Sequence, residues 1–89
     1  MALQIINSGP DPEEICAQIR GCIAEAIESA EIEVHSSSAG HFEIKVVSAA
    51  FEGLNRVKQQ QLVYGAITEL MAGPNAPVHA VDRLECRVP

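Results

Sequence analysis

Eighty-nine residues, 47% hydrophobic and 20% charged, with no internal repeat, make one small globular domain; with only 3% aromatic residues its core is one of Val, Ile, Leu and Ala. Six Lys and Arg against twelve Asp and Glu leave a formal net charge of −6, which argues against nonspecific nucleic-acid binding because phosphate neutralisation needs clustered cations. No apolar run reaches the length of a membrane span, and Met1-Ala2-Leu3-Gln4 lacks the basic start and long apolar stretch of a signal peptide, so a cytoplasmic location is expected. Cys16, Cys22 and Cys86 are odd in number and form no close pair of metal-binding spacing, which suits reduced, buried thiols.

Residues 1–10 carry a short apolar patch, Leu3-Gln4-Ile5-Ile6, before a Gly9-Pro10 break, and read as a flexible lead-in or an extra edge strand. A single domain is expected over 11–89. Asp11 is a natural helix N-cap, Pro12 fits the first helical position, and Glu14 completes a capping-box-like pair. From there Ile15, Ile19, Cys22, Ile23, Ala26 and Ile27 recur on one helical face, with Glu13, Gln18, Arg20, Glu25 and Glu28 outside, so the first helix is expected to run to about Ala30. Gly21 inside it costs roughly 1 kcal/mol relative to Ala, which points to close packing against a neighbour.

Glu31-Ile32-Glu33-Val34-His35 and His41-Phe42-Glu43-Ile44-Lys45-Val46 both alternate strictly, and Ser36-Ser37-Ser38-Ala39-Gly40 joins them, which predicts an antiparallel hairpin. Ile32, Val34, Phe42, Ile44 and Val46 face the helices; His35, His41, Glu43 and Lys45 face away. After Val47-Ser48 the chain turns at Phe51-Glu52-Gly53, with Phe51 closing the core edge and Gly53 relieving the backbone. Asn55 caps a second helix that ends before Gly73-Pro74. Its buried face is Val63, Ala66, Ile67, Leu70 and Met71, extended by Val57 and Leu62, with Arg56, Lys58, Gln59, Gln60 and Glu69 outside. Val78 to Cys86 is a third strand, with Val78, Ala80, Leu84 and Cys86 on one face and His79, Val81, Arg83 and Glu85 on the other. Asp82 breaks that alternation.

These elements predict an α+β domain of order αββαβ. The sheet is three-stranded and mixed, ordered 1-2-3, with a parallel last pair and the helices on one face. No nucleophile with a nearby base, no Gly-rich phosphate loop and no paired carboxylates with a pocket signature are present, so an enzyme is not expected. The histidines are the candidates for metal chemistry, although a histidine opening a strand is, read alone, usually a surface residue.

Phe51-Glu52-Gly53, Arg56-Val57-Lys58, Leu62-Val63-Tyr64 and Val78-His79-Ala80, with His41-Phe42 and Val46-Val47-Ser48 upstream, together resemble the BolA family over most of Ile32 to Val81. Within it the stretch Lys58-Gln59-Gln60-Gln61-Leu62-Val63-Tyr64-Gly65 is most similar to the bacterial IbaG (YrbA) type. The resemblance implies a fold similar to a type II KH domain, but the nucleic-acid clamp Gly-X-X-Gly is absent, since Gly53-Leu54-Asn55-Arg56 supplies only its first glycine. Family members usually continue into a final helix, whereas this chain stops at Arg87-Val88-Pro89, so that helix is missing from the expected architecture.

The resemblance also implies a role for His79. In BolA-like proteins the matching histidine ligates a [2Fe-2S] cluster shared with a monothiol glutaredoxin, whose cysteine and bound glutathione supply the other iron's thiolates. No such cofactor is expected in the isolated protein. Imidazole in place of thiolate raises the potential, and its protonation eases transfer. Many relatives place a His or Cys in the loop between the first two strands. Here that loop has no thiol, so His35 and His41 are the candidates for a second ligand, the bland alternative being an exposed cross-strand polar pair. Arg56, Val57, Lys58, Gln59, Gln60 and Gln61 form the candidate partner-binding or nucleic-acid-binding surface. The expected function is a non-enzymatic iron–sulfur trafficking or regulatory adaptor that binds a monothiol glutaredoxin. The alternatives are a KH-like DNA-binding regulator of stress response, reading adenine edges through glutamines, and a cofactor-free homodimeric interaction module.

Overall fold

In the computed structural model, which describes residues 11–89, α1 (Pro12–Ala26) leads into a hairpin of β1 (Glu31–Ser38) and β2 (His41–Val47). A single 3-10 turn at Ala49–Phe51 precedes α2 (Arg56–Ala66), α3 (Thr68–Met71) and β3 (Ala80–Arg87). The sheet has the order β1-β2-β3, antiparallel between the first pair and parallel between the second. The lead-in or edge strand expected for 1–10 lies outside the described residues. No helix among the described residues is long and apolar enough to cross a membrane.

The alternating patterns place the core as their chemistry requires. Ile32, Val34 and Ser36 oppose Val46, Ile44 and Phe42, and Phe42, Ile44 and Val46 are buried against Ile15, Ile19, Ile23, Val63 and Ile67. Both phenylalanines, Phe42 and Phe51, are fully buried, so the scarce aromatic residues sit where their large area contributes most. The N-caps form as read: Asp11 accepts from the Glu13 amide at 3.1 Å and Asn55 from the Lys58 amide at 2.9 Å.

Several boundaries differ from the sequence expectation. α1 ends at Ala26, not near Ala30, because Ile27 turns to an extended conformation while remaining buried in the core, and Ser29 then adopts a left-handed φ of 52°. Cys16 joins the buried face and Ala26 does not. Gly21 faces open space, with nothing within 4 Å of where a Cβ would stand, so the close packing expected there is not found. The second helix is two helices. At Ile67 the amide divides between the Val63 and Tyr64 carbonyls, and the Thr68 hydroxyl bonds back to the Tyr64 carbonyl at 2.9 Å, a contact that bends helices. Val57 and Leu62 were expected to extend the buried face but are 60% and 40% exposed.

Two bulges account for the remaining differences. Ser36 to Ser38 belong to β1, leaving Ala39-Gly40 as the turn, and Ser37 is the unpaired residue between the pairs Ser36–Phe42 and Ser38–His41. In β3 the pairs Phe42–Val81 and Glu43–Arg83 leave Asp82 as the extra residue. That insertion reverses the assignment of the side chains just before it, including His79, expected on the open face but lining a groove with Ile15 and Phe42. Val81 packs against the core beside Leu84 and Cys86, while Ala80 shares the open face with His41.

Ser48 is the buried polar residue at the end of β2. Its hydroxyl donates to the Glu28 carbonyl at 2.8 Å and accepts from the Ala50 amide at 3.1 Å, and its own amide donates to the Arg87 carbonyl at 2.9 Å. Replacing it with Ala removes the hydroxyl that partners the partly buried Glu28 carbonyl and Ala50 amide, so Ser48→Ala should lower stability by about 1 kcal/mol in urea denaturation. Gly21→Ala should act in the opposite direction. With a helical backbone and free space for a methyl group, it should stabilise by about 1 kcal/mol and raise the melting temperature by roughly 4–8 °C in a domain of this size.

Candidate functional site

The β1–β2 turn and the start of β3 meet at one corner of the sheet. Gly40 has φ of +76°, a left-handed turn geometry that glycine adopts without steric cost. Its carbonyl accepts from both the His79 amide at 2.8 Å and the Ala80 amide at 3.1 Å. The imidazole of His79 lies against the bare Cα of Gly40: a Cβ there would stand 2.6 Å from Nδ1 and 2.8 Å from Cγ. Immediately before it, Val78 is buried and its amide donates to the Leu70 carbonyl at 3.1 Å. An exposed imidazole is thereby carried on a backbone fixed from both sides. It stands at the rim of a groove of about 420 Å³ whose walls include Ile15, Ala39, Phe42, Ala76 and Pro77.

The two bulge residues meet on the neighbouring side of this corner. The Ser37 hydroxyl donates to Asp82 Oδ2 at 2.9 Å, and His41 Nδ1 lies 3.0 Å from Asp82 Oδ1. The His41 hydrogen bond, followed by that from Ser37, holds the Asp82 carboxyl below the usual carboxylate range. An ionised carboxylate only accepts, so Nδ1 carries the proton and Nε2 of neutral His41 keeps its lone pair. This is the arrangement in which a carboxylate sets the tautomer of a metal-ligating histidine. It is not a nucleophilic relay, because the serine hydroxyl binds the carboxylate and not the imidazole.

His41 is in register with Ala80, one position along from the Gly40–His79 contact, so the backbones of His41 and His79 meet at one sheet corner, but their imidazoles diverge: His41 bonds Asp82 on the open-face side, whereas His79 lines the groove with Ile15 and Phe42. His35 lies elsewhere. It pairs with Glu43 and lines a shallow depression on the open face with Glu33, Lys45, Arg83 and Glu85. Among the described residues no three His, Cys, Asp or Glu side chains converge as a complete metal site. The cysteines are free, and burial pushes the Cys16 and Cys86 thiols up, away from the thiolate form that binds metals.

The candidate surface on α2 divides by role. Gln59 is structural, its side-chain amide donating to the Leu54 carbonyl at 3.0 Å and the Phe51 carbonyl at 3.3 Å, which ties the helix to the preceding corner. Arg56 and Gln60 line a notch against β3, whereas Val57, Lys58 and Gln61 are exposed, as are Leu62 and Tyr64 further along. Sequence reasoning missed Ser37, Gly40 and Asp82. The break in alternation at Asp82 was the available signal, but the partner it binds lies 41 residues earlier at His41.

Comparison with known proteins gives consistent matches. The family described as BolA-like protein matches residues 25–87. The acid stress protein IbaG of Escherichia coli strain K12 is 36% identical over 65 residues, 73% of this chain and 74% of that protein. BolA-like protein 1 of Bos taurus is 34% identical over an alignment of 82 positions that covers 82% of this chain and 58% of the bovine protein, so the chain spans little more than half of that relative. Among solved structures, BolA1 from Arabidopsis thaliana is similar with a TM-score of 0.68 at 28% identity, over 83% of this chain and 90% of that one. None of these names is that of an enzyme.

Removing the Asp82 carboxylate should free the imidazole beside it. In nitrogen-detected NMR of neutral Asp82→Ala protein, His41 should pass from a single Nδ1–H tautomer to a mixture while His79 is unchanged; an unaltered His41 would show that Asp82 does not set the tautomer. In the wild type, a carboxyl held below its ordinary range keeps its tie to Ser37 above that range and loses it as acid titrates through the lower native value. The Asp82 carboxyl carbon shift follows that loss.

Proposed function

Because the chain belongs to the BolA family, we propose that it is a non-enzymatic iron–sulfur trafficking or regulatory adaptor. In this reading it binds a monothiol glutaredoxin and contributes His79, with His41 as second ligand, to a shared [2Fe-2S] cluster. The observation that carries the proposal is the exposed His79 imidazole, held on the Gly40 carbonyl at the rim of an apolar groove. A shared cluster needs only part of its ligands from this chain, so His79 with one further imidazole would suffice where a resident site would need more donors. The donor set is neutral, and such ligands supply a cluster of raised potential that is released on imidazole protonation.

His41 is favoured over His35 on geometry. Both lie on the open-face side, but His41 stands next to Gly40, which carries His79, and Asp82 holds its Nδ1 and leaves Nε2 as the available nitrogen, whereas His35 lies further along the sheet beside Glu43. The outer side of α2 suits the partner. Val57, Leu62 and Tyr64 expose apolar surface beside the polar Lys58 and Gln61, a mixture typical of protein interfaces. Nucleic-acid reading by the same helix has less support, since the Gln59 amide is already engaged by two backbone carbonyls.

The test is anaerobic reconstitution with a monothiol glutaredoxin and glutathione, followed by visible circular dichroism. A spectrum distinct from that of the glutaredoxin homodimer is expected for the wild type, abolished in His79→Ala, weakened in His41→Ala and retained in His35→Ala. No change on mixing would remove this reading. A self-associated species indifferent to both additions would favour the cofactor-free dimer instead.

A further inference from the structure

The chain has only six Lys and Arg residues, and three of them converge. Arg56 from the first turn of α2 and Arg83 and Arg87 from β3 line a notch of about 340 Å³ that also takes in Gln59, Gln60 and Glu85. All three arginines are exposed. The lining thus holds three arginines and one carboxylate on a molecule whose net charge is −6, although Arg83 and Glu85 also border the open-face depression with Glu33 and Glu43.

We propose that this notch docks an acidic peptide segment of a protein partner, with a partner carboxylate clasped by the arginine forks. Arg87 already shows the geometry, its Nε holding Glu85 Oε2 at 2.7 Å. That internal pair is solvated, with the Arg87 side chain 65% exposed, and exposed ion pairs contribute little to stability. A partner carboxylate can therefore replace Glu85 at small cost and gain the bidentate geometry that arginine offers carboxylates. The remainder of the surface directs it there. Glu13, Glu14, Glu25 and Glu28, with only Arg20 among them, make the outside of α1 unfavourable to an acidic segment, whereas the notch gathers three of the six cations. Its volume suits one or two side chains. A nucleic-acid strand would need a longer track of cations for comparable affinity, and Gln59, the nearest amide, is tied to the Phe51 and Leu54 carbonyls.

The proposal is independent of the cluster reading, and its test contains neither iron nor glutaredoxin. Isotope-labelled protein is titrated with a hexaglutamate peptide, with hexaglutamine and a single-stranded 12-mer oligonucleotide as comparison probes, and backbone amide shifts are followed by NMR. Shifts should cluster on the first turn of α2 and on Leu84 to Arg87, weaken with salt, and require about tenfold more peptide in the R56Q/R83Q/R87Q variant. E85Q should bind several-fold more tightly, because the internal competitor is gone, an effect that loss of fold would not produce. Absent or diffuse shifts, indifference to the arginine substitutions, or weaker binding by E85Q would overturn the proposal. So would a stronger response to the oligonucleotide, which would make the notch a nucleic-acid site, or notch shifts on raising protein concentration alone, which would assign it to a second copy of the chain.

Discussion

Ser48 is the point at which the separate pieces of this fold are tied. One buried hydroxyl serves the carbonyl at the end of the α1 turn and the amide that starts the 3-10 corner, while its backbone amide takes the last carbonyl of the parallel ladder. A buried polar group of this kind is acceptable only when its partners are all present. The α1 exit, the end of β2 and the end of β3 are therefore held in one geometry. The rest of the sheet inherits its position from that junction.

The central strand β2 carries this constraint to the other end of the sheet. It pairs antiparallel with β1 and parallel with β3, and its alternate residues Phe42, Ile44 and Val46 supply the core against both long helices. At its far end the Gly40 carbonyl accepts from the amides of His79 and Ala80, and at the near end the Ser48 amide donates to the Arg87 carbonyl. The parallel pair is clamped at both termini by backbone groups. An exposed histidine at such a terminus is a surface side chain with a core-like backbone, and that combination is what suits His79 to the proposed ligand role.

Irregularity in the strands is what furnishes the corner chemically. Ser37 and Asp82 are the residues that the ladders leave over, one on each side of β2, and they hydrogen-bond to each other across its beginning. Bulges re-aim side chains. Here they place a carboxylate on His41 Nδ1 and turn Val81 into the core. The same strand, beyond its bulge, delivers Arg83 and Arg87 to the notch with Arg56, so one insertion in β3 separates an imidazole corner from a basic edge.

Much of the architecture was legible from local chemistry. The caps Asp11 and Asn55, the strict alternation of residues 31–35 and 41–46, the glycine turn at Gly53 and the order of the sheet follow from propensities and periods that act over a few residues. The motif around Phe51, Val63 and His79 identified the family and singled out His79, a choice the residue alone would not justify. The positions that local pattern could not settle depend on contacts between distant segments. Ile27 leaves the helix to remain in the core, Gly21 faces solvent, Gln59 is drawn into the Phe51 corner, and Val57 and Leu62 lie on the outer side of α2. Among the three histidines, sequence supplied the imidazoles, but only the tertiary structure could assign Asp82 to His41, Gly40 to His79 and the open sheet face to His35. A one-residue bulge changes which side of a strand every later residue occupies, and pairing between segments some forty residues apart decides where the bulge falls.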